Sequence, residues 1–298
     1  MKMTRVLSLL TAGVVLGAAS TLAIAQTVVV GGKNFTEQLL MASMTSQLLQ
    51  AKGFKPEIKS GMGSAVLRQA QENGQIDVYW EYTGTSLITY NKVTEKLSMA
   101  DTYKRVKDLD AAKGLVWLNP SKANNTYSLA MNSEDAKKQG IVSISDLAAK
   151  VKVKGGSKLT FASSPEFYAR PDGLKPMEQL YGFEFDREDV KRMDSGLLYS
   201  ALRDKQVDVS VVFATDGRIP AFNFVVLKDD KGYFPAYALT PVVTKKFLDA
   251  NPRVADILNG LSAKLDDATM ARLNATVDVE KKTVEEVSQT FLKQQGLI

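Results

Sequence analysis

The chain has 298 residues, 45% hydrophobic and 24% charged, with a formal net charge of +5, and it contains no histidine and no cysteine. That composition is ordinary for a globular protein, while the missing residue types exclude disulfides, thiol chemistry, a Ser-His-Asp triad, a Cys-His protease and a histidine-built zinc hydrolase. The charge is modest and no dense basic run is interleaved with aromatics, which argues against nucleic acid as a partner.

Residues 1–25 have the pattern of a secretory signal peptide. Lys2 and Arg5 precede a short apolar run over 6–19, and Ala23-Ile24-Ala25 forms an A-x-A cleavage site. The run is short for a membrane span, which needs about 20 residues. The expected mature chain starts near Gln26, and no lipid-accepting cysteine follows, so an unanchored periplasmic protein is expected. Its length, about 270 residues, fits two lobes.

A strand over 28–30 ends at Gly31-Gly32, and a helix is expected from Thr36-Glu37, with Leu39, Leu40, Met44, Leu48 and Leu49 at roughly helical spacing. Lys33 lies between them, beside a helix N-terminus, a place suited to an anion; the alternative is a solvated surface lysine. Gly31-Gly32-Lys33 is not a phosphate loop, because Thr27 and Asn34 stand where glycine and Ser/Thr are needed. Gly61-Met62-Gly63 is not a dinucleotide fingerprint, because Val66 replaces its third glycine.

An amphipathic helix carrying Val66, Leu67 and Ala70 comes next, followed by a turn at Asn73-Gly74. Ile76, Val78 and Trp80 then alternate with more polar neighbours, a strand pattern that ends at Tyr82-Thr83-Gly84-Thr85. Ligands of open α/β sheets sit at that end of a strand. A helix over 102–113 stops at Gly114, a strand covers 115–118, and a strand over 126–131 is expected as the first crossing between lobes. A helix capped by Ser145 and a charged loop over 150–158 come next.

The loop over 163–173 combines Phe167 and Tyr168 with Arg170, which Pro171 restrains. Its guanidinium fork fits a ligand carboxylate; pairing with Asp172 inside the loop is the alternative. A strand over 239–243 is expected to return to the first lobe, and the chain is helical beyond Lys245, its last stretch (279–295) forming a solvated helix on the outside.

The segment at 205–209, Lys-Gln-Val-Asp-Val, repeats Gly-Gln-Ile-Asp-Val at 74–78, and each Asp is followed five residues later by an aromatic, Tyr82 or Phe213. Upstream, each copy has a strand, a helix and a Gly-Phe stop at 53–54 or 182–183. Two lobes on one plan are expected, each offering a strand end to a shared cleft.

Five segments occur in order: Gly-Lys-Asn-Phe-Thr-Glu (32–37), Asp-Val-Tyr-Trp-Glu-Tyr-Thr-Gly-Thr (77–85), Phe-Tyr-Ala-Arg-Pro-Asp-Gly (167–173), Thr-Asp-Gly-Arg-Ile (215–219) and Pro-Val-Val (241–243). Together they resemble the substrate-binding proteins of osmoprotectant ABC importers, the glycine betaine, choline and carnitine binders of the ProX and OpuC type. The resemblance covers nearly the whole mature chain. It implies an α/β fold, the type II periplasmic-binding-protein clamshell, with residues 26–127 and 238–298 in one lobe and 128–237 in the other. It places an aromatic box for the quaternary ammonium on Tyr82, Tyr127, Phe213 and Tyr237, and carboxylate contacts on Lys33, Thr85 and Arg170, with the backbone carbonyl of Asn125 facing the cation. Phe213 departs from the pattern, since close relatives often carry tyrosine there.

The resemblance also implies a monomer working with a membrane permease and an ATPase, with no catalytic residue, metal or cofactor. The other readings are a binder of choline, carnitine or another amine, an enzyme on the same clamshell, and a sensor subunit.

Overall fold

The computed structural model describes residues 26–151 and 158–298. The expected signal peptide and residues 152–157 of the charged loop lie outside the described residues. Ten strands follow among the described residues: β1 (Thr27–Lys33), β2 (Lys55–Met62), β3 (Val78–Tyr82), β4 (Leu115–Trp117), β5 (Tyr127–Asn132), β6 (Phe161–Ser163), β7 (Val190–Arg192), β8 (Val209–Phe213), β9 (Phe224–Val226) and β10 (Leu239–Thr244). They form two five-stranded sheets, ordered β2-β1-β3-β10-β4 and β7-β6-β8-β5-β9.

The two sheets share one plan. In each, three parallel strands (β2, β1, β3 or β7, β6, β8) are followed by one antiparallel strand, β10 or β5. A short antiparallel edge strand, β4 or β9, completes the row. The sequence repeat has a physical purpose in this plan. Asp77 Oδ2 accepts a 2.8 Å hydrogen bond from Val29 N, and Asp208 Oδ2 accepts one of 2.8 Å from Thr160 N, across a separation of 48 residues in both copies. Each aspartate thus ties the start of β3 or β8 to the neighbouring central strand, to β1 in one sheet and to the residue leading into β6 in the other. The turns before them match as well: Gly74 has φ 72° and Lys205 has φ 54°. The second copy therefore holds a left-handed backbone without glycine, a strained choice for a residue with a Cβ.

β3 differs from the expected half-exposed strand: all five residues, Tyr79 and Glu81 included, are buried. Helix Thr36–Ala51 packs on one face of the sheet and helix Ser64–Glu72 on the other, so alternation loses its meaning, as in parallel sheets generally. β1 also runs further than its apolar residues indicated, carrying Lys33 as its last residue. Helix Ile144–Val151 is capped by Ser143, whose Oγ accepts from Asp146 N at 3.1 Å, and not by Ser145, whose Oγ donates to Asp230 Oδ2 at 2.6 Å. The last helix, Val284–Gln294, is less solvated than expected. It buries Val287, Ser288, Phe291 and Leu292 against the helix Thr36–Ala51 and opens with a capping box of Thr283 and Glu286.

Candidate ligand-binding cleft

Strand direction assembles the cleft. Lys33 ends β1, Tyr82 ends β3, Phe213 ends β8, and Ser164 follows the end of β6. The antiparallel strands bring their starts to the same edges: Tyr127 of β5 pairs with Phe213, and Leu239 of β10, two residues after Tyr237, pairs with Tyr82. The carboxyl edges of both sheets thereby border one cavity. Lys33, Tyr82, Thr85, Asn125, Tyr127, Phe213 and Tyr237 line it, together with Asn34, Phe35, Ser64, Ser164, Glu166 and Ser195. Beyond Tyr82 the chain turns through Gly84 into a π-helical segment, Thr85–Tyr90. A Cβ on Gly84 would lie 2.7 Å from the carbonyl oxygen of Ala236 and 2.9 Å from the Tyr237 ring, so only glycine lets the two chains approach this closely.

The aromatic rings form a continuous wall. Tyr127 meets Phe213 at 5.2 Å between centroids, tilted 39°, and Tyr237 edge-on at 5.5 Å. Phe35, which the sequence reading did not select, stacks on Phe213 at 5.4 Å and 6° and on Tyr82 at 6.3 Å and 23°.

The charged groups are more fully paired than the sequence implied. Lys33 is no surface lysine: it is 2% exposed, with Nζ 2.6 Å from Glu81 Oε1 and 5.0 Å from the Tyr82 ring centroid. Glu81 Oε2 accepts from Tyr79 OH at 2.8 Å. Arg170 does not line the cavity. Its Nε and Nη2 each donate to Asp172 at 2.7 Å, and Nη1 donates to Glu166 Oε1 at 2.9 Å and Thr85 Oγ1 at 3.3 Å. Its guanidinium lies 5.3 Å from the Tyr127 ring centroid and 5.8 Å from that of Tyr237, while Tyr237 OH donates to Asp172 Oδ2. Of the two readings of Arg170 the structure shows the pair with Asp172, and Lys33, given a ligand-carboxylate contact by the resemblance, is likewise paired with a buried carboxylate, Glu81. Glu166 is the loosest member of the group: its side chain is 38% exposed, and its Oε2 accepts from Ser64 Oγ at 2.8 Å.

Glu37, also missed, ties the cleft together from behind. Its carboxylate accepts from Tyr82 OH at 2.8 Å, Asn125 Nδ2 at 2.9 Å, Thr215 Oγ1 at 2.5 Å and Asn274 Nδ2 at 3.3 Å. Burial without a cationic partner raises its pKa above the usual carboxylate range, and these hydrogen bonds offset part of the shift. The same burial, with the Glu37 charge beside it, pushes the Tyr82 hydroxyl well above its ordinary value, so it remains a donor.

Residues 26–294 match the family described as the substrate binding domain of the ABC-type glycine betaine transport system. The chain belongs to this family. A glycine-betaine-binding protein of Pseudomonas aeruginosa is 48% identical over 284 residues, covering 94% of this chain and 91% of that protein. The glycine betaine-binding protein YehZ of Escherichia coli is 32% identical, covering 91% of this chain and 92% of that one. Among solved structures, a crystal structure of a glycine betaine/carnitine/choline ABC transporter superposes with a TM-score of 0.72 at 28% identity, over 91% of this chain and 99% of the other. The fold of this substrate-binding protein is thus the α/β clamshell that its sheet plan describes.

For the substrate-binding protein, the structure brings seven of the eight selected residues to one cavity and sets Arg170 behind Thr85 and Glu166. Asn125 also contributes through its side chain, joining Glu37 to the segment after β8 by accepting from Thr215 N at 3.4 Å. Phe35 and Glu37 lie within the motif over 32–37 that carried the resemblance, and Glu166 lies in the loop selected for Arg170. Those segments were the only signal for them, since nothing local says that a helix-start glutamate faces a cleft.

Proposed function

We propose that the protein is the exported receptor of an ABC importer, binding a quaternary ammonium osmolyte of the glycine betaine kind between its lobes. The observation that carries this is the set of four rings, Tyr82, Tyr127, Phe213 and Tyr237, drawn from both sheets and from a connecting segment onto one cavity. A quaternary ammonium has no N–H to donate, so aromatic faces recognise its charge, each worth ~0.5–2 kcal/mol. Family membership and the 48% identical glycine-betaine-binding relative support the same solute class.

In this reading the division into 26–127 with 238–298 and 128–237 gives two lobes that close on the ligand. The betaine carboxylate takes the place of Glu166 against Arg170 Nη1 and Thr85 Oγ1, with Lys33 close by. The mature chain starts near Gln26, works in the periplasm as a monomer, delivers its load to a permease and an ATPase, and catalyses nothing.

A second reading is favoured by Glu166. Around the cavity Lys33 and Arg170 face Glu81, Asp172 and Glu166, an excess of negative charge that suits a purely cationic amine such as choline. Calorimetric titration of the mature protein with glycine betaine and choline tests both readings. Binding of neither would refute the quaternary ammonium assignment, and the order of affinity selects the reading.

A further inference from the structure

The carboxylates that line the cleft or lie directly behind it each have a cation, with one exception. Glu81 holds Lys33, Asp172 and Glu166 hold Arg170, and Asp216 and Asp278 share Arg218. Glu37, in the first turn of the helix Thr36–Ala51 and 2% exposed, meets only neutral groups among the described residues. The senses of its hydrogen bonds are fixed by the other contacts of its partners. Tyr82 OH accepts from Gln38 Nε2 at 3.1 Å, which leaves its proton for Glu37. Asn125 turns Oδ1 to Thr215 N, so its Nδ2 faces Glu37, and Asn274 Nδ2 is aimed by its other acceptor, Thr215 O at 2.9 Å. Three fixed donors, with the Thr215 hydroxyl as a fourth, are the surroundings of an ionised carboxylate, which only accepts. Burial pushes its pKa up, and these donors work against that shift.

One of those donors is a ring of the box. A phenol that donates to an anion is polarised, and the negative face of its ring strengthens. The same charge attracts a cation directly, weakly screened where water is excluded. Lys33 Nζ lies 5.0 Å from the centroid of the Tyr82 ring, but Glu81 matches its charge. The other hydroxyl–carboxylate pair of the box differs. Tyr237 OH donates to Asp172, whose two oxygens Arg170 grips at 2.7 Å, so that charge is neutralised where it sits. Glu37 is thus the anion behind the rings that no protein cation repays, and burying such a charge is costly until a cation arrives.

We propose that Glu37 is the counter-charge of the bound ammonium group, delivered through the Tyr82 hydroxyl. It is a positioning residue that touches no ligand atom, and it makes the box prefer a cation over an uncharged group of the same shape. The inference rests on the quaternary ammonium reading above and adds the anion that the rings alone do not supply.

The test uses two ligand pairs in which carbon replaces the quaternary nitrogen and the shape is kept: choline with 3,3-dimethyl-1-butanol, and glycine betaine with 3,3-dimethylbutanoate. Calorimetric titration of the mature chain gives the affinity ratio within each pair. Glu37→Gln should weaken the ammonium member by about tenfold or more, the order a buried unit charge contributes at short range. The carbon isostere should bind as before, an outcome that damage to the packing of the box does not give. Tyr82→Phe keeps the ring and breaks the link, so it should lower the same ratio by about threefold or more. It is decisive on its own if Glu37→Gln does not fold. A ratio unmoved by the folded variants would overturn the counter-charge and leave the box standing. Parallel losses for both members of a pair would make Glu37 a structural support only, and would overturn it equally. Failure of the wild type to bind choline and glycine betaine at all would overturn the quaternary ammonium reading, and the counter-charge with it.

Discussion

Replacing Glu166 by glutamine separates the two ligand readings. Its carboxylate holds Arg170 Nη1 at 2.9 Å and Ser64 Oγ at 2.8 Å, and at 38% side-chain exposure it is the cavity carboxylate free to swing outward. If it stayed, a ligand carboxylate about 4 Å away would be repelled by ~4 kcal/mol at an effective dielectric of about 20. Swinging out is cheaper, at ~1.5–3 kcal/mol for a hydrogen bond to a charged group. A glutamine amide still bonds the Arg170 cation but lacks the charge–charge attraction, so it gives up that bond for ~1.5 kcal/mol, the low end of the same range. Glu166→Gln should therefore tighten glycine betaine by up to ~1.5 kcal/mol, about tenfold at most. Choline should weaken or stay level, because its hydroxyl loses a charged acceptor and its ammonium a nearby anion. Titration calorimetry of both ligands against wild type and variant reads the ratio directly. A shift of equal size and sign for the two ligands would refute the placement of a ligand carboxylate at the Glu166 position.

Tyr82→Ala should weaken binding by about tenfold or more, since a desolvated cation–π contact reaches ~2 kcal/mol. Tyr82→Phe keeps the ring face but leaves Glu37 and Gln38 short of a partner, so a stability loss of ~1–3 kcal/mol in urea is expected, with a smaller change in affinity. Equal affinity losses for Phe and Ala would make the hydroxyl the main contact. Asp110, gripped by Arg68 at 2.8 and 2.6 Å, has its pKa lowered to about 2 by that guanidinium against the opposing effect of burial. A carboxylate depressed in the folded state contributes its stability above the unfolded pKa and loses it as pH falls towards the folded value. Denaturation curves should therefore show an advantage of ~2 kcal/mol over Asp110→Asn above about pH 5 that disappears near pH 2; a pH-independent difference would contradict the ion pair's role. The bonds Ser64–Glu166, Thr85–Arg170 and Glu37–Thr215 join elements of the two sheets across the cleft, at 2.8, 3.3 and 2.5 Å. Ligand should favour that closed form, lowering the radius of gyration in small-angle scattering; identical curves with and without saturating glycine betaine would count against closure.

The plan of the molecule is legible in local pattern. The repeated Asp77 and Asp208 segments, each between a helix and an aromatic strand end, carried the two-lobe architecture because local pattern dictates strand, turn and helix, and a duplicated pattern yields a duplicated sheet. Tyr82 and Phe213 were legible for the same reason, because a residue closing a parallel strand faces the carboxyl edge of its sheet, whereas Tyr127 and Tyr237, at or just before the starts of antiparallel strands, were selected only through the family resemblance. The pairing of charges arises only on folding. Lys33 and Glu81 lie on neighbouring strands, and Glu37 meets partners from four separate parts of the chain. Arg170 had two local readings, ligand clamp or Asp172 partner, and the packed loop placed its fork on Asp172 while turning Glu166 into the cavity. Such choices follow from which buried charges must neutralise one another once water is excluded, and that is a property of the folded assembly, which no single segment carries.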